Sequence, residues 1–340
     1  MAAVLAACGG GAAPAASSPA PSSVSVTAKL AAASGSAAGS GKPAASGLTK
    51  VKAAYSQISA VQGPLYVGID QKIFQKYGLD VEAGLVAGTQ QPPAMQAGEI
   101  QFGTPGGNEI ISADLAGASM VMMGVASNYP VFSMYGAKGV NDVKDLTGKS
   151  VGITTAGSST DASAQIFLQK FGLEKQVKRQ PSGSIEGILA LVEKGEIAAG
   201  VVSPPTTVIA QRAGLKELVN GPKLGVPMLH SGVAVTRDYL KNKPELVKAF
   251  MQGYVEAWNF VIDPANEAVV EQSLAKWTKS DQETAKGSYE YVQPAWARDK
   301  SPAVNPEGLQ NIINIIDNPK AKDAKPEQFF DNSIVQGLAK

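Results

Sequence analysis

The sequence is short of most of what catalysis, metal binding or nucleic-acid recognition requires. It holds one cysteine and one histidine in 340 residues, so internal disulfides are excluded and a His/Cys metal cluster has almost no ligands to draw on. His230 has neither a cysteine partner nor a His/carboxylate spacing suited to a metal. Lys and Arg number 30 against 29 Asp and Glu, for a net charge of +1, and form no basic block; nucleic-acid binding, which needs clustered cations, has no support. Aromatics are sparse, at 6%. No apolar run reaches the eighteen or so residues that span a bilayer, so any membrane attachment has to be covalent.

The lone cysteine closes Leu5-Ala6-Ala7-Cys8, which resembles a bacterial lipobox: small residues suit a signal peptidase, and the cysteine becomes the lipidated N-terminus. Residues 1–8 therefore read as a partial signal peptide. Seven residues precede Cys8, with no Lys or Arg, fewer than a whole signal peptide holds. A chance tetrapeptide in an Ala-rich tail is the competing reading. Residues 9–47 are Ala, Ser, Gly and Pro with hardly a large apolar side chain beyond Val24, Val26 and Leu30. Such a tract cannot offset the entropy of ordering, and reads as a disordered linker with a reach of roughly 35 Å. Gly39-Ser40-Gly41-Lys42 resembles a phosphate loop only superficially, because Ser36 and Pro43 stand where a glycine and a Ser/Thr belong.

The remaining body of roughly 290 residues is long enough for two lobes. Strand-like and helix-like segments alternate, the signature of α/β architecture. Strands are expected at 52–55, 79–85, 100–103, 120–126, 131–135, 150–154, 198–202 and 233–235. Helices are expected over 64–77, 89–97, 108–116, 160–171, 185–194 and 206–213, with a mainly helical end at 249–262, 267–277 and 310–316.

Gly63-Pro64-Leu65-Tyr66-Val67-Gly68 and Phe74-Gln75-Lys76-Tyr77-Gly78-Leu79-Asp80-Val81-Glu82 resemble the opening of the nitrate, sulfonate, taurine and thiamine-precursor branch of ABC-transporter substrate-binding proteins. Met95-Gln96-Ala97-Gly98-Glu99-Ile100-Gln101-Phe102-Gly103, Asp145-Leu146-Thr147-Gly148-Lys149-Ser150-Val151-Gly152 and Gly157-Ser158-Ser159-Thr160 extend the likeness across the body. The resemblance implies a two-lobed periplasmic-binding fold of the second type, each lobe a mixed β-sheet flanked by helices, with two hinge crossings. Lobe 1 would be 48–128 plus 235–340 and lobe 2 would be 131–231, with crossings near Asn128-Tyr129-Pro130 and Ser231-Gly232-Val233. Ligand would lie outside the carboxyl ends of the strands.

Candidate ligand-binding residues follow. Ser56, Gln57, Ile58 and Ser59 form a polar loop after the first strand, although an ordinary strand-to-helix turn explains them equally well. Thr89 opens the next helix, and Asn128 and Tyr129 sit at the first crossing. Thr104, Pro105 and Gly106 end the third strand just before a helix, where backbone can approach a ligand. The leading candidate is the loop 155–161, with Gly157, Ser158, Ser159 and Thr160: it joins a strand to a helix N-terminus, whose free N–H groups and positive dipole end suit an anionic or strongly polar group. Simple capping by Ser or Thr accounts for one of these residues, and Asp161 would discourage a dianion. Ser203 precedes two prolines and either closes the cleft or starts a helix. Tyr66 and Tyr129 are candidates to stack on a planar ligand.

The resemblance implies a solute-binding lipoprotein of an ABC importer: no enzyme, no cofactor, extracytoplasmic, lipid-anchored at Cys8, a monomer, with a small organic or anionic ligand and an ABC permease with its ATPase as partners. An enzyme of pyrimidine or thiamine-precursor metabolism on the same fold is an alternative, but such enzymes carry a histidine- and cysteine-rich site that this chain lacks. A ligand-sensing surface lipoprotein is another. Arginines stand only at 179, 212, 237 and 298, outside every candidate loop, so no bidentate clamp on a carboxylate or sulfonate is evident.

Overall fold

The computed structural model describes residues 47–338. Cys8, its lipobox-like neighbours and linker residues 9–46 lie outside the described residues. Ten strands are described: β1 (Thr49–Tyr55), β2 (Leu79–Leu85), β3 (Phe102–Thr104), β4 (Met120–Met122), β5 (Ser133–Gly136), β6 (Ser150–Ile153), β7 (Lys178–Pro181), β8 (Ala199–Val202), β9 (Lys216–Asn220) and β10 (Ala234–Thr236). They make two sheets, ordered β2-β1-β3-β10-β4 and β7-β6-β8-β5-β9.

The two sheets share one plan. In the first, β2, β1 and β3 are parallel and β10 lies antiparallel between β3 and β4. In the second, β7, β6 and β8 are parallel and β5 lies antiparallel between β8 and β9. Each antiparallel strand is the first one after the chain changes lobe. The result is the expected α/β fold of two lobes, each a mixed sheet flanked by helices, with two crossings.

Burial explains which segments form these elements. The helix Pro244–Ile262 starts on a proline and buries Val247, Phe250, Met251, Tyr254, Trp258 and Val261, a stripe at helical spacing. Phe250 stacks on Phe102 of β3 at 3.8 Å and on Phe74 at 4.9 Å, tying this helix to the first sheet. The helix expected over 64–77 is two helices, Gly63–Asp70 and Ile73–Lys76, because Lys72 takes a left-handed conformation (φ 55°) between them.

The crossings run side by side. Ser127 and Ser231 form an antiparallel bridge, and Gly232 lies so close to residue 124 that a Cβ would meet its carbonyl oxygen at 2.1 Å. Asn128 is fully engaged at this point: its backbone N–H and Nδ2 donate to Asp299, Nδ2 also to the Ala303 carbonyl, and Oδ1 accepts from the Asn305 N–H. Buried His230 accepts from the Val131 N–H at Nδ1, 3.4 Å, with its other nitrogen 3.5 Å from Gln57 Nε2. Burial drops the imidazole pKa to about 3, so it stays neutral.

The helix Gln282–Arg298, unanticipated from sequence, lies across both lobes. Trp296 packs on Gly63 of the first lobe. Toward the second lobe, the Tyr291 hydroxyl bonds to Ser133 and donates to Glu217 at 2.6 Å, while Arg298 donates to the Pro222 carbonyl at 3.0 Å.

Candidate functional site

Between the lobes lies a cavity of about 390 Å³, lined by Ser56, Gln57, Ile58, Leu85 and Ala87 from one side and by Thr154, Thr155, Ser158, Thr160 and 183–186 from the other. Every lining loop follows a parallel strand: 56–58 follows β1, 85–87 ends β2, 154–160 follows β6 and 183–186 follows β7. The repeated sheet plan thus aims two pairs of carboxyl ends at one space, where an α/β sheet binds its ligands.

Six of the sequence candidates meet in this cavity: Ser56, Gln57, Ile58, Ser158, Ser159 and Thr160. Thr89 and Gly157 line a neighbouring groove of about 450 Å³. Ser59 is buried and caps the short helix Ala60–Gln62. Thr104 is buried and donates to Gln62 Oε1 at 2.7 Å. Ser203 is buried beside Pro204, whose carbonyl accepts from the Ala60 N–H at 3.0 Å. Tyr66 stacks on Trp277 at 4.7 Å, and Tyr129 carries the Arg298 guanidinium over its ring at 4.6 Å.

The 155–161 loop is built as a cap. Thr154, Ser158 and Thr160 hydroxyls form a triangle with sides of 2.8 to 2.9 Å, and Ser158 Oγ donates to the Thr155 carbonyl at 2.7 Å. The hydroxyls expected to be free donors are therefore largely engaged with one another. Asp161 accepts from the Gly157 N–H at 2.9 Å and from Arg179 Nη1 at 2.7 Å, so its charge is paired rather than turned on the cleft.

Glu109, which sequence reasoning missed, sits on the wall shared by the two cavities. It lies in the first turn of the helix Gly107–Leu115 in lobe 1 and reaches across to lobe 2. Its carboxylate accepts from the Ser159 N–H at 3.0 Å and from Ser159 Oγ at 2.9 Å. Ser159 is the first residue of the helix Ser159–Lys170. Backbone groups at Gly106 and at Glu109 itself also favour the ionised form, so one carboxylate serves two helix starts. Beside it, Asn108 Nδ2 donates to the Gly157 carbonyl at 2.7 Å. Gly106 makes this closeness possible, since a Cβ there would stand 2.2 Å from Ser159 Oγ and 2.6 Å from Glu109 Oε2. Burial nonetheless outweighs the hydrogen bonds from Ser159, Glu109 and Gly106, lifting the Glu109 pKa to about 7.

Among the described residues no group of three His, Cys, Asp or Glu is placed to hold a metal ion, and no helix is long and apolar enough to cross a membrane.

Comparison with known proteins agrees with the geometry. The model of the family described as NMT1/THI5-like matches residues 60–268. No curated protein matches the chain. Among solved structures, the alkanesulfonate-binding protein SsuA from Xanthomonas axonopodis pv. citri bound to MOPS is similar at TM-score 0.67 and 18% identity, over 86% of this chain and 99% of that one. The periplasmic nitrate-binding protein NrtA from Synechocystis PCC 6803 is similar at TM-score 0.71 and 15% identity, over 86% and 88%. The periplasmic aliphatic sulphonate binding protein SsuA from Escherichia coli is similar at TM-score 0.66 and 19% identity, over 82% and 91%. At these identities the likeness establishes a shared fold. All three are binding proteins by name.

Proposed function

We propose, from the premise that this chain belongs to the NMT1/THI5-like family, that it is the solute-binding component of an ABC importer. It captures a small molecule between lobe 1 (48–128 plus 235–340) and lobe 2 (131–231) and presents the closed form to a permease served by an ATPase. A lipid on Cys8 would hold it outside the cytoplasm, as a monomer. It works as a binder and not as an enzyme.

The observation that carries this reading is the cavity whose walls come from both lobes. A solute there touches both walls only when the lobes are together, so its differential affinity sets how far closure proceeds. Micromolar capture needs about 8 kcal/mol. A few charge-assisted hydrogen bonds at about 1.5 to 3 kcal/mol each, plus burial against Ile58, Leu85 and Ile185, are of the right size.

Native mass spectrometry of the full chain, purified without ligand exchange, tests it. The expected result is one small molecule per chain, released unmodified on denaturation. Turnover of that molecule, or no bound mass together with no change in scattering profile across a broad metabolite panel, contradicts it.

A further inference from the structure

The cleft is one-sided in charge. Among the described residues its charged lining residues are Glu109 and Glu186, and no described Lys, Arg or His lines it. Two helix starts of lobe 2 line the cavity as sources of positive potential: that of Ser159–Lys170, whose first N–H already donates to Glu109, and that of Ile185–Glu193, which carries Glu186 in its own first turn. The start of the opposing helix Gly107–Leu115 faces the same carboxylate. An oxyanion entering the cavity would find the helix dipoles already answered by a fixed carboxylate in van der Waals fit with its surroundings: added Cβ atoms at Gly88 and Gly106 would each stand 2.6 Å from a Glu109 oxygen. The one arginine near this loop, Arg179, is spent on Asp161. The rest of the lining is apolar or neutral, with Ile58, Leu85 and Ile185 as its large apolar members, of which Leu85 is 53% exposed.

We infer that the cleft selects a small organic cation, an ammonium-type head directed at Glu109 and Glu186 with an apolar body against Ile58, Leu85 and Ile185, and that Glu109 is the specificity determinant that excludes the oxyanions named for the structural relatives. This rests on the solute-binding reading above. Once ionised, above about pH 7, Glu109 acts as an internal counter-ion: it fills the position an anionic ligand would take between two helix starts and turns its remaining acceptor capacity toward the solute. A cation there offsets the cost of its desolvation by pairing with two carboxylates, whereas an anion bears the same cost and meets like charge from both.

Calorimetry on the full chain, freed of any co-purifying molecule and held well above pH 7 so that Glu109 is ionised, measures this with matched series of alkyl- and arylalkyl-ammonium ions, sulfonates of the same carbon skeletons, the corresponding alcohols, and nitrate. The ammonium member of the best-fitting skeleton is expected to bind at least about tenfold tighter than its sulfonate and its alcohol. Glu109→Gln and Glu186→Gln should each cost it roughly tenfold, the loss of one charge-assisted hydrogen bond. Because Glu186 is exposed, E186Q tests the charge without risk to the fold. A sulfonate, nitrate or alcohol that binds as tightly as the matched ammonium overturns the inference while leaving solute capture standing. Absence of binding by every series, with native mass spectrometry also finding no bound solute, overturns both.

Discussion

The two lobes touch at the front of the molecule and at the back, and the two contacts are built differently. At the front, a single carboxylate, Glu109, bridges to the start of one helix, with Asn108 beside it. At the back, the helix Gln282–Arg298 lays Trp296 on the first lobe and a network of Tyr291, Glu217, Asn220 and Tyr135 on the second. The front holds two groups that must lose water to meet, next to an open cavity; the back is an apolar and polar seam with several partners per residue. Solute capture as proposed needs the front to part, and the back, with more partners per residue, is the expected pivot.

Breaking the back should therefore damage folding. Trp296→Ala removes the largest buried side chain of the seam and is expected to cost about 3 to 5 kcal/mol in denaturant unfolding. The front answers instead to pH. The raised Glu109 pKa means the folded chain holds a proton that the unfolded chain has released, so the stability tied to this group is whole below about pH 4.5 and falls as pH rises to about 7. His230, lowered to about 3, has the opposite sign: its contribution is present above pH 6.5 and is lost as pH falls. Asp299, raised to about 6 chiefly by burial, follows Glu109. Comparing the wild type with E109Q across pH 4.5 to 7 cancels the other two groups. The wild type should lose about 3 kcal/mol relative to the variant over that window; parallel curves would show that Glu109 titrates normally.

Gly106→Ala forces a Cβ onto Ser159 and should cost about 1 to 3 kcal/mol by crowding, together with a larger radius of gyration as the front contact parts. A change in stability without a change in size would mean that the front is no easier to open than the back. Smallest is Arg179→Met, expected to cost about 1 kcal/mol by freeing the Asp161 charge, since Arg179 is one-third exposed. The same variant should weaken cation binding little, because Asp161 lies outside the cavity lining.

The same contrast shows what the sequence made legible. The parallel strands at the centre of each sheet carry apolar runs, and the loops after β1 and β6, expected to face the cleft, bring Ser56, Gln57, Ile58, Ser158, Ser159 and Thr160 to one cavity. β7 and β9 were not anticipated, because edge strands such as Lys178–Pro181 need no apolar alternation and tolerate a proline. With β7 went its loop, 183–186, and half of the second wall. The helix Gln282–Arg298 escaped notice because Gly287 and Pro294 interrupt it and much of what it buries is small or polar, such as Thr284, Ala285 and Ser288. In sequence terms Glu109 is an ordinary first-turn acid that favours its own helix dipole. Nothing in its local sequence says that the partner helix lies fifty residues away.

The most direct test is the distance between the lobes. Spin labels at Glu82→Cys on β2 and Lys178→Cys on β7, in a Cys8→Ser background, report the opening of the cleft by pulsed electron resonance. Two distance populations should collapse to the shorter one when the co-purifying solute is restored. A single distribution, unmoved by that solute at saturation, would contradict capture between moving lobes.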